Sequence, residues 1–195
     1  YVKMDFSRIK AIKNAGKKLS KQFKKLNVFI NNASPAIKRK NFLKLKNSDI
    51  SENIKGLLTG NIVSLKNALE TILKKKNQNK SIIINISSYS AISGGKNIHL
   101  YAASKSAMNT LTIALSRDPF QRKVKIVSVV PRHIDTLTFR KNNNIKKTSD
   151  LILFQKRKKI RSIRTPDEFS NFIYNKIIKK SNKLNKTIVY YDSFK

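Results

Sequence analysis

An α/β fold on a parallel, doubly wound sheet is predicted by three features of this chain. Short apolar runs rich in isoleucine and valine alternate with longer stretches whose apolar residues recur at helical spacing. Each such run ends in a polar or turn-forming cluster: Asn31-Asn32-Ala33-Ser34-Pro35, Ser87-Ser88, and Pro131 to Thr136. The helical stretches between them are long enough to cross back over a sheet, which parallel pairing requires.

The elements follow in order. Tyr1 to Phe6 reads as a short extended run containing Asp5. Ser7 is placed to cap a helix in which Ile9, Ile12, Gly16, Leu19 and Phe23 recur at helical spacing. Val28 to Ile30 is a buried strand, broken by the Asn-rich turn. A long helix is predicted over Asp49 to Lys75, and Ser81 to Ser87 is the next strand. A helix carrying Tyr101 runs to about Ser116, where Asp118-Pro119 breaks it. Val124 to Val130 is a strand stopped by Pro131. Residues 137–164 are polar, basic and irregular, with a short helix near Leu151 to Lys159. Thr165-Pro166-Asp167-Glu168 announces another helix through a cap, a proline at the first position and a carboxylate three after the cap. Thr187 to Tyr191 is the final strand. With no internal repeat and no linker, residues 1–195 are expected to form one domain.

Composition narrows the chemistry. A chain of 195 residues with 39% hydrophobic content can bury a sizeable core. The absence of cysteine excludes disulfides, thiolate metal sites and cysteine nucleophiles. Only His99 and His133 could serve a histidine-built metal site, so none is expected. No apolar run approaches the roughly 18 residues of a membrane span, and a cytoplasmic setting is the simplest expectation. The net charge of +33 invites a nucleic-acid reading. Against it, lysine, asparagine and isoleucine are enriched together, as AT-rich codons would produce, and the cations are scattered over separate elements.

The chemistry-bearing run is Tyr101-Ala102-Ala103-Ser104-Lys105, with Ser88 thirteen residues before the tyrosine. Residues four apart on a helix share a face, so the ammonium of Lys105 is expected to pull the Tyr101 phenol below its ordinary value of about 10. A hydroxyl from a neighbouring strand end could hold a substrate oxygen against that phenol. These are the parts of a proton-transfer device for a carbonyl or an alcohol.

These residues resemble the short-chain dehydrogenase/reductase family over essentially the whole chain. Asn31-Asn32-Ala33-Ser34 is similar to its N-N-A-G turn, and Ser88, Tyr101 and Lys105 match its catalytic serine, tyrosine and lysine in order and spacing. Pro131 to Thr136 resembles the P-G-x-x-x-T segment, Val189-Tyr190-Tyr191-Asp192 the closing strand, and Asp5 the acidic residue at the adenine. The resemblance implies a Rossmann-like doubly wound sheet, N-terminally incomplete, because the first two strands and the T-G-x-x-x-G-x-G loop are not in the sequence. It implies hydride transfer between NADP (or NAD) and a carbonyl or alcohol substrate, with Tyr101 as general acid/base, Lys105 supporting it and Ser88 on the substrate oxygen. Asp5, Asn31, Asn32, Ala33, Tyr101, Lys105, Pro131, Ile134 and Thr136 would bind the cofactor. Tyr101 to Leu115 is similar to 3-oxoacyl-carrier-protein reductases and sugar dehydrogenases, while Asp5-Phe6-Ser7 and Asn-Ala-Ser resemble pterin reductases. The substrate is therefore left open, whether free or carried on a carrier protein, and a homo-oligomer is the implied assembly.

Departures from the family pattern support a second reading, a noncatalytic remnant acting as a scaffold or an oligomer subunit. The helix asparagine of the family is expected to be lost at Leu57, and Arg132 stands where a glycine follows Pro131. A third reading, a basic nucleic-acid-binding protein on the same fold, rests on charge alone.

Overall fold

The computed structural model describes residues 2, 4–23, 25–35, 39–74 and 80–191. It resolves into two compact units, one of residues 1–130 with 185–189, the other of residues 131–184 with those from 190 onward.

The first unit carries the parallel sheet. Strands β1 (Val28–Asn31), β2 (Ser81–Ile86) and β3 (Val124–Val130) pair in parallel, and β4 (Ile188–Tyr190) completes the order β1-β2-β3-β4. All of β2 but its last residue is buried, and so is all of β3 but Lys125, because helices cover the sheet and isoleucine and valine suit a pleated, enclosed surface. Helix α1 (Ile9–Gln22) precedes β1. Helices α2 (Asn47–Ile54) and α3 (Gly60–Leu73) lead to β2, α4 (Ser90–Ser93) follows it, and α5 (His99–Leu115) leads to β3. Leu65, Ala68, Leu69 and Ile72 of α3 meet Met108 of α5 and Ile83, Val124 and Ile126 of the sheet in one core cluster. Burying such side chains is the main favourable contribution, about 1.5–3 kcal/mol for each fully enclosed one.

Between α2 and α3 the helix widens into a single π turn, Lys55–Thr59, without breaking. The predicted helix over Asp49 to Lys75 is thus one helical run from Asn47 to Leu73 in three segments. At its start Asp49 accepts from the Lys46 amide at 3.1 Å and pairs with Lys40 at 2.7 Å. Gly60, at the first turn of α3, lies against the backbone of Phe6, so a side chain there would strike the Phe6 carbonyl. Gly16 of α1 faces the Asn67 side chain, which donates to the Ile12 carbonyl at 3.3 Å.

Two expectations fail at the N-terminus. Ser7 does not cap α1: the cap is Arg8, and the Ser7 amide and hydroxyl both donate to Asp5 Oδ1, at 2.9 and 2.7 Å. The near carboxylate is a stronger acceptor than the helix end is a donor for a neutral hydroxyl. Val2, Met4 and Asp5 form no strand; Tyr1 and Lys3, the rest of that predicted run up to Phe6, lie outside the described residues. Asp192, in the predicted closing segment, lies outside them as well.

The second unit is more helical than its composition suggests. Residues 137–164 hold α6 (Leu137–Asn142), where no helix is predicted, and α7 (Thr148–Arg157), which meets the short helix expected near Leu151 to Lys159. Phe139 packs against His133 and, edge-on, against Phe154, giving these basic helices an aromatic centre. Arg140 binds Asp135 through two contacts of 2.6 and 2.7 Å, which holds the Asp135 carboxyl below its ordinary range. The predicted capping box is present at α8 (Pro166–Phe172): Glu168 donates its amide to Thr165 Oγ1 at 3.1 Å and accepts the Thr165 amide at 2.8 Å. Phe169 and Phe172 pack on Tyr191.

Candidate active site

Parallel strands deliver their C-terminal ends to one edge of a sheet, where loops can gather polar groups. At that end of β2 the chain turns through Ser87 and Ser88 into α4, and α5 then runs alongside with Tyr101 in its first turn and Lys105 one turn further. The α5 start is polar and small, so Tyr101 is half-buried while Ala102, Ser104 and Lys105 are enclosed.

The three residues singled out as catalytic meet. The Ser88 side chain lies near enough to the Tyr101 phenol to act on it, while Ser88 Oγ accepts from the Ser90 amide at 3.2 Å and donates to Ser90 Oγ at 3.3 Å. Lys105 Nζ lies 5.7 Å from the Tyr101 ring centroid and donates to the Ile86 carbonyl at 2.7 Å. Burial pushes the Lys105 ammonium down to about 8. The expected lowering of the phenol is not found. Burial raises Tyr101 above its ordinary value, and the Ser88 hydroxyl opposes that rise without cancelling it. Taking a phenolate out of water costs more than one hydroxyl donor returns.

The remaining predicted positions separate into groups. Asn31 closes β1 with its side chain turned inward: Nδ2 donates to the Asn61 carbonyl at 3.2 Å and to Asn85 Oδ1 at 3.1 Å. Asn32, Ala33 and Ser34 follow it and are exposed. Asp5 is exposed beside Ser7. Pro131, Ile134 and Thr136 belong to the second unit. There Pro131 is buried, Ile134 bridges to Arg164, and Thr136 caps α6 by accepting from the Phe139 amide at 3.1 Å. Among the described residues no three His, Cys, Asp or Glu side chains group as a metal site would require. No helix there is long and apolar enough to cross a membrane.

Leu57, where the family asparagine is expected to be lost, is buried in the π turn, and an asparagine of its own, Asn61, stands one helical turn further on. Asn61 is 4% exposed, donates to the Leu57 carbonyl at 2.9 Å, and offers its own carbonyl to Asn31. The π turn at 55–59 packs on α5. Asn61, not singled out from the sequence, is spaced four residues from Leu57 and four from Leu65, both buried.

Comparison with known proteins places this architecture. The family model for short chain dehydrogenases matches residues 1–147. A 3-oxoacyl-[acyl-carrier-protein] reductase of Bos taurus is 26% identical over 133 residues, covering 68% of this chain and 54% of that protein. An NADP-dependent 3-hydroxy acid dehydrogenase of Schizosaccharomyces pombe is 27% identical over 139 residues, covering 69% and 51%. The chain thus spans about half the length of these curated relatives. Among solved structures, a short chain dehydrogenase from Burkholderia cenocepacia in complex with NADP superposes with a TM-score of 0.76 at 21% identity, covering 96% of this chain and 73% of that one. A 3-ketoacyl-(acyl-carrier-protein) reductase from Brucella melitensis complexed with NADH gives 0.75 at 16%, covering 97% and 75%. With its parallel sheet, the serine, tyrosine and lysine gathered at one strand end, and a family match over three-quarters of its length, the chain belongs to the short-chain dehydrogenase family.

Proposed function

We propose that this chain serves an NAD(P)-dependent oxidoreductase that interconverts a carbonyl and an alcohol, with Tyr101 as the general acid/base. The observation carrying this reading is the enclosed Lys105, bonded to the Ile86 carbonyl at the end of β2 and 5.7 Å from the Tyr101 ring, with Ser88 beside the phenol. A phenol that keeps its proton at neutral pH is in the right form to donate it to a carbonyl oxygen. Ser88 is placed to hold that same oxygen, and acid–base help of this kind is worth about 10²–10⁴ in rate.

The donor set fits a nicotinamide cofactor. An ammonium carries three donors; Lys105 gives one to Ile86, and the others suit the paired hydroxyls of a ribose. Asp5, Asn32 and Ala33 are exposed and open to a nucleotide. The inward Asn31 belongs to the proposed binding set as well. When bound, the cofactor supplies or accepts the hydride. Lys105 then holds its ribose, and the positive charge so retained favours the phenolate that Tyr101 leaves behind on donating its proton. NADP is the cofactor named for the yeast relative and is our first choice.

The substrate class is a small carbonyl compound or its alcohol, and the bovine relative points to an acyl group on a carrier protein. A carrier of acidic surface would complement the charge of +33. Association through α3 and α5 fits the exposure of Ile62 and Ile113 on them. NADPH fluorescence on titration tests cofactor binding, and consumption of NADPH with an acetoacetyl thioester tests turnover. Tyr101→Phe should abolish turnover and leave the NADPH titration unchanged. Turnover retained in that variant would remove Tyr101 from its role.

A further inference from the structure

Beside Met108, which packs on the apolar sheet residues, α5 turns a row of polar side chains to the sheet where apolar ones would be ordinary. Lys105, Asn109 and Thr112 are spaced four and three residues apart, so they lie on one side of the helix. Each is hydrogen-bonded to the sheet: Lys105 to the Ile86 carbonyl at 2.7 Å, Asn109 Oδ1 to the Ser128 hydroxyl at 2.6 Å, and Thr112 Oγ1 to Asn85 Nδ2 at 2.9 Å. The sheet answers with a polar row of its own. Asn31, Asn85 and Ser128 stand at one register across β1, β2 and β3. They are 4%, 2% and 0% exposed, and Thr112 is 0% exposed.

The donors run in one direction. Asn31 donates to Asn85 Oδ1, Asn85 donates to Thr112 Oγ1, and Thr112 donates to the Met108 carbonyl at 2.7 Å. Burying so many polar groups is expensive unless every member is paired. Apolar side chains of the same size would hold the helix down as firmly, but they allow it to slide and roll. A slip of one residue would move every side chain by about 1.5 Å along the axis and about 100° around it. Directional bonds at two further points along the helix forbid that. Thr112 is eleven residues beyond Tyr101, about 16 Å along the helix.

We propose that Asn85 and Thr112, with Ser128 and Asn109 beside them, are positioning residues that lock the roll and height of α5 on the sheet and thereby set Tyr101 and Lys105 against Ser88. This rests on the reading of Tyr101 and Lys105 as the catalytic pair, but its test does not depend on turnover. Lys105 is followed by acetylation across a pH series with peptide mass spectrometry. The chain is compared with Thr112→Val, Thr112→Ser and the double variant Asn85→Leu/Thr112→Val, in which an apolar pair replaces the bonded one.

The expected result is a rise of about one unit in the pH of half-labelling at Lys105 in Thr112→Val and in the double variant. Thr112→Ser, which keeps the hydroxyl, should retain the original profile. Where turnover is measurable, kcat should fall about tenfold in the double variant, and KM for NADPH should rise because Lys105 also holds the ribose. A Lys105 profile in the double variant identical to that of the unaltered chain would overturn the proposal, as would full kcat there. Should Thr112→Val fail to fold, Ser128→Ala, which releases Asn109, is read by the same criteria. Failure of the preceding functional reading would appear separately, as an absence of NADPH binding and turnover in the unaltered chain while the labelling comparison still decides.

Discussion

Raising the pH from about 7 to about 9.5 should stabilise this chain through Lys105, the opposite of what an ion-paired lysine would do. Burial lowers its ammonium from 10.5 to about 8. Between those values the unfolded chain holds the proton more tightly than the folded one, so stability rises with pH across that window. Below about pH 8 the penalty is fully present, and the distance from 10.5 to about 8, at about 1.4 kcal/mol per pH unit, makes it about 3 kcal/mol. About 2 kcal/mol of that is recovered by about pH 9.5. Lys105→Met removes the titration, though it leaves the Ile86 carbonyl without its donor, a loss of about 1–3 kcal/mol. Urea unfolding of both chains across the series isolates Lys105, because the other lysines cancel in the difference. The gap should move by about 2 kcal/mol in favour of the unaltered chain as the pH rises. Staying below pH ~10 keeps the raised Tyr101, whose effect runs the other way, outside the window. A gap that stays constant from end to end would show that Lys105 is hydrated and would refute the enclosure on which its role depends.

Other perturbations are simpler to read. Ser88→Ala removes a hydroxyl that holds the Tyr101 phenol down, so ultraviolet titration of that variant should place the Tyr101 ionisation higher than in the parent; an unchanged or lower value would contradict the contact. Gly60→Ala drives a methyl into the Phe6 carbonyl, and overpacking against backbone should lower stability by about 1–3 kcal/mol in thermal melts. Gly16→Ala meets Asn67 Nδ2 at 2.8 Å and its Cβ and Cγ at 3.2 Å, so Asn67 must shift and strain its bond to the Ile12 carbonyl. No backbone stands in the way, and helix propensity returns up to about 1 kcal/mol, so it should destabilise less than Gly60→Ala. Equal melting points for the two glycine variants would undo this account of how α1 and the Phe6 turn meet α3.

Much of the fold is legible in the sequence. Strands β2 and β3 announce themselves because isoleucine and valine runs bounded by serine and proline have few other homes. The Thr165 capping box is legible because its bonds are local, made within four residues. The meeting of Ser88 with Tyr101 follows from strand-end logic and family spacing together. What stays hidden depends on contacts distant in sequence. The Tyr101 shift is set by how deeply the ring is covered, which no spacing reports. Ser7 misleads because Asp5 competes for the same hydroxyl. Helix α6 is hidden by its basic residues, whereas α7 is foreshadowed by the pattern near Leu151 to Lys159; the Phe139–Phe154 contact that holds the two together joins residues fifteen apart and leaves no local sign. The polar row of Asn31, Asn85 and Ser128 looks like three unrelated interruptions until the register aligns them.

The widened turn at Lys55–Thr59 changes what the two halves of its helix can tolerate. An inserted residue offsets the helical phase by about 100°, so the stripe that α2 buries does not continue straight into the stripe that α3 buries. Trimming one residue from this turn would restore a regular spiral and swing Asn61 out of the interior, taking with it the carbonyl that receives Asn31. A single-codon deletion here, ordinarily mild in a surface helix, would therefore reach the centre of the molecule.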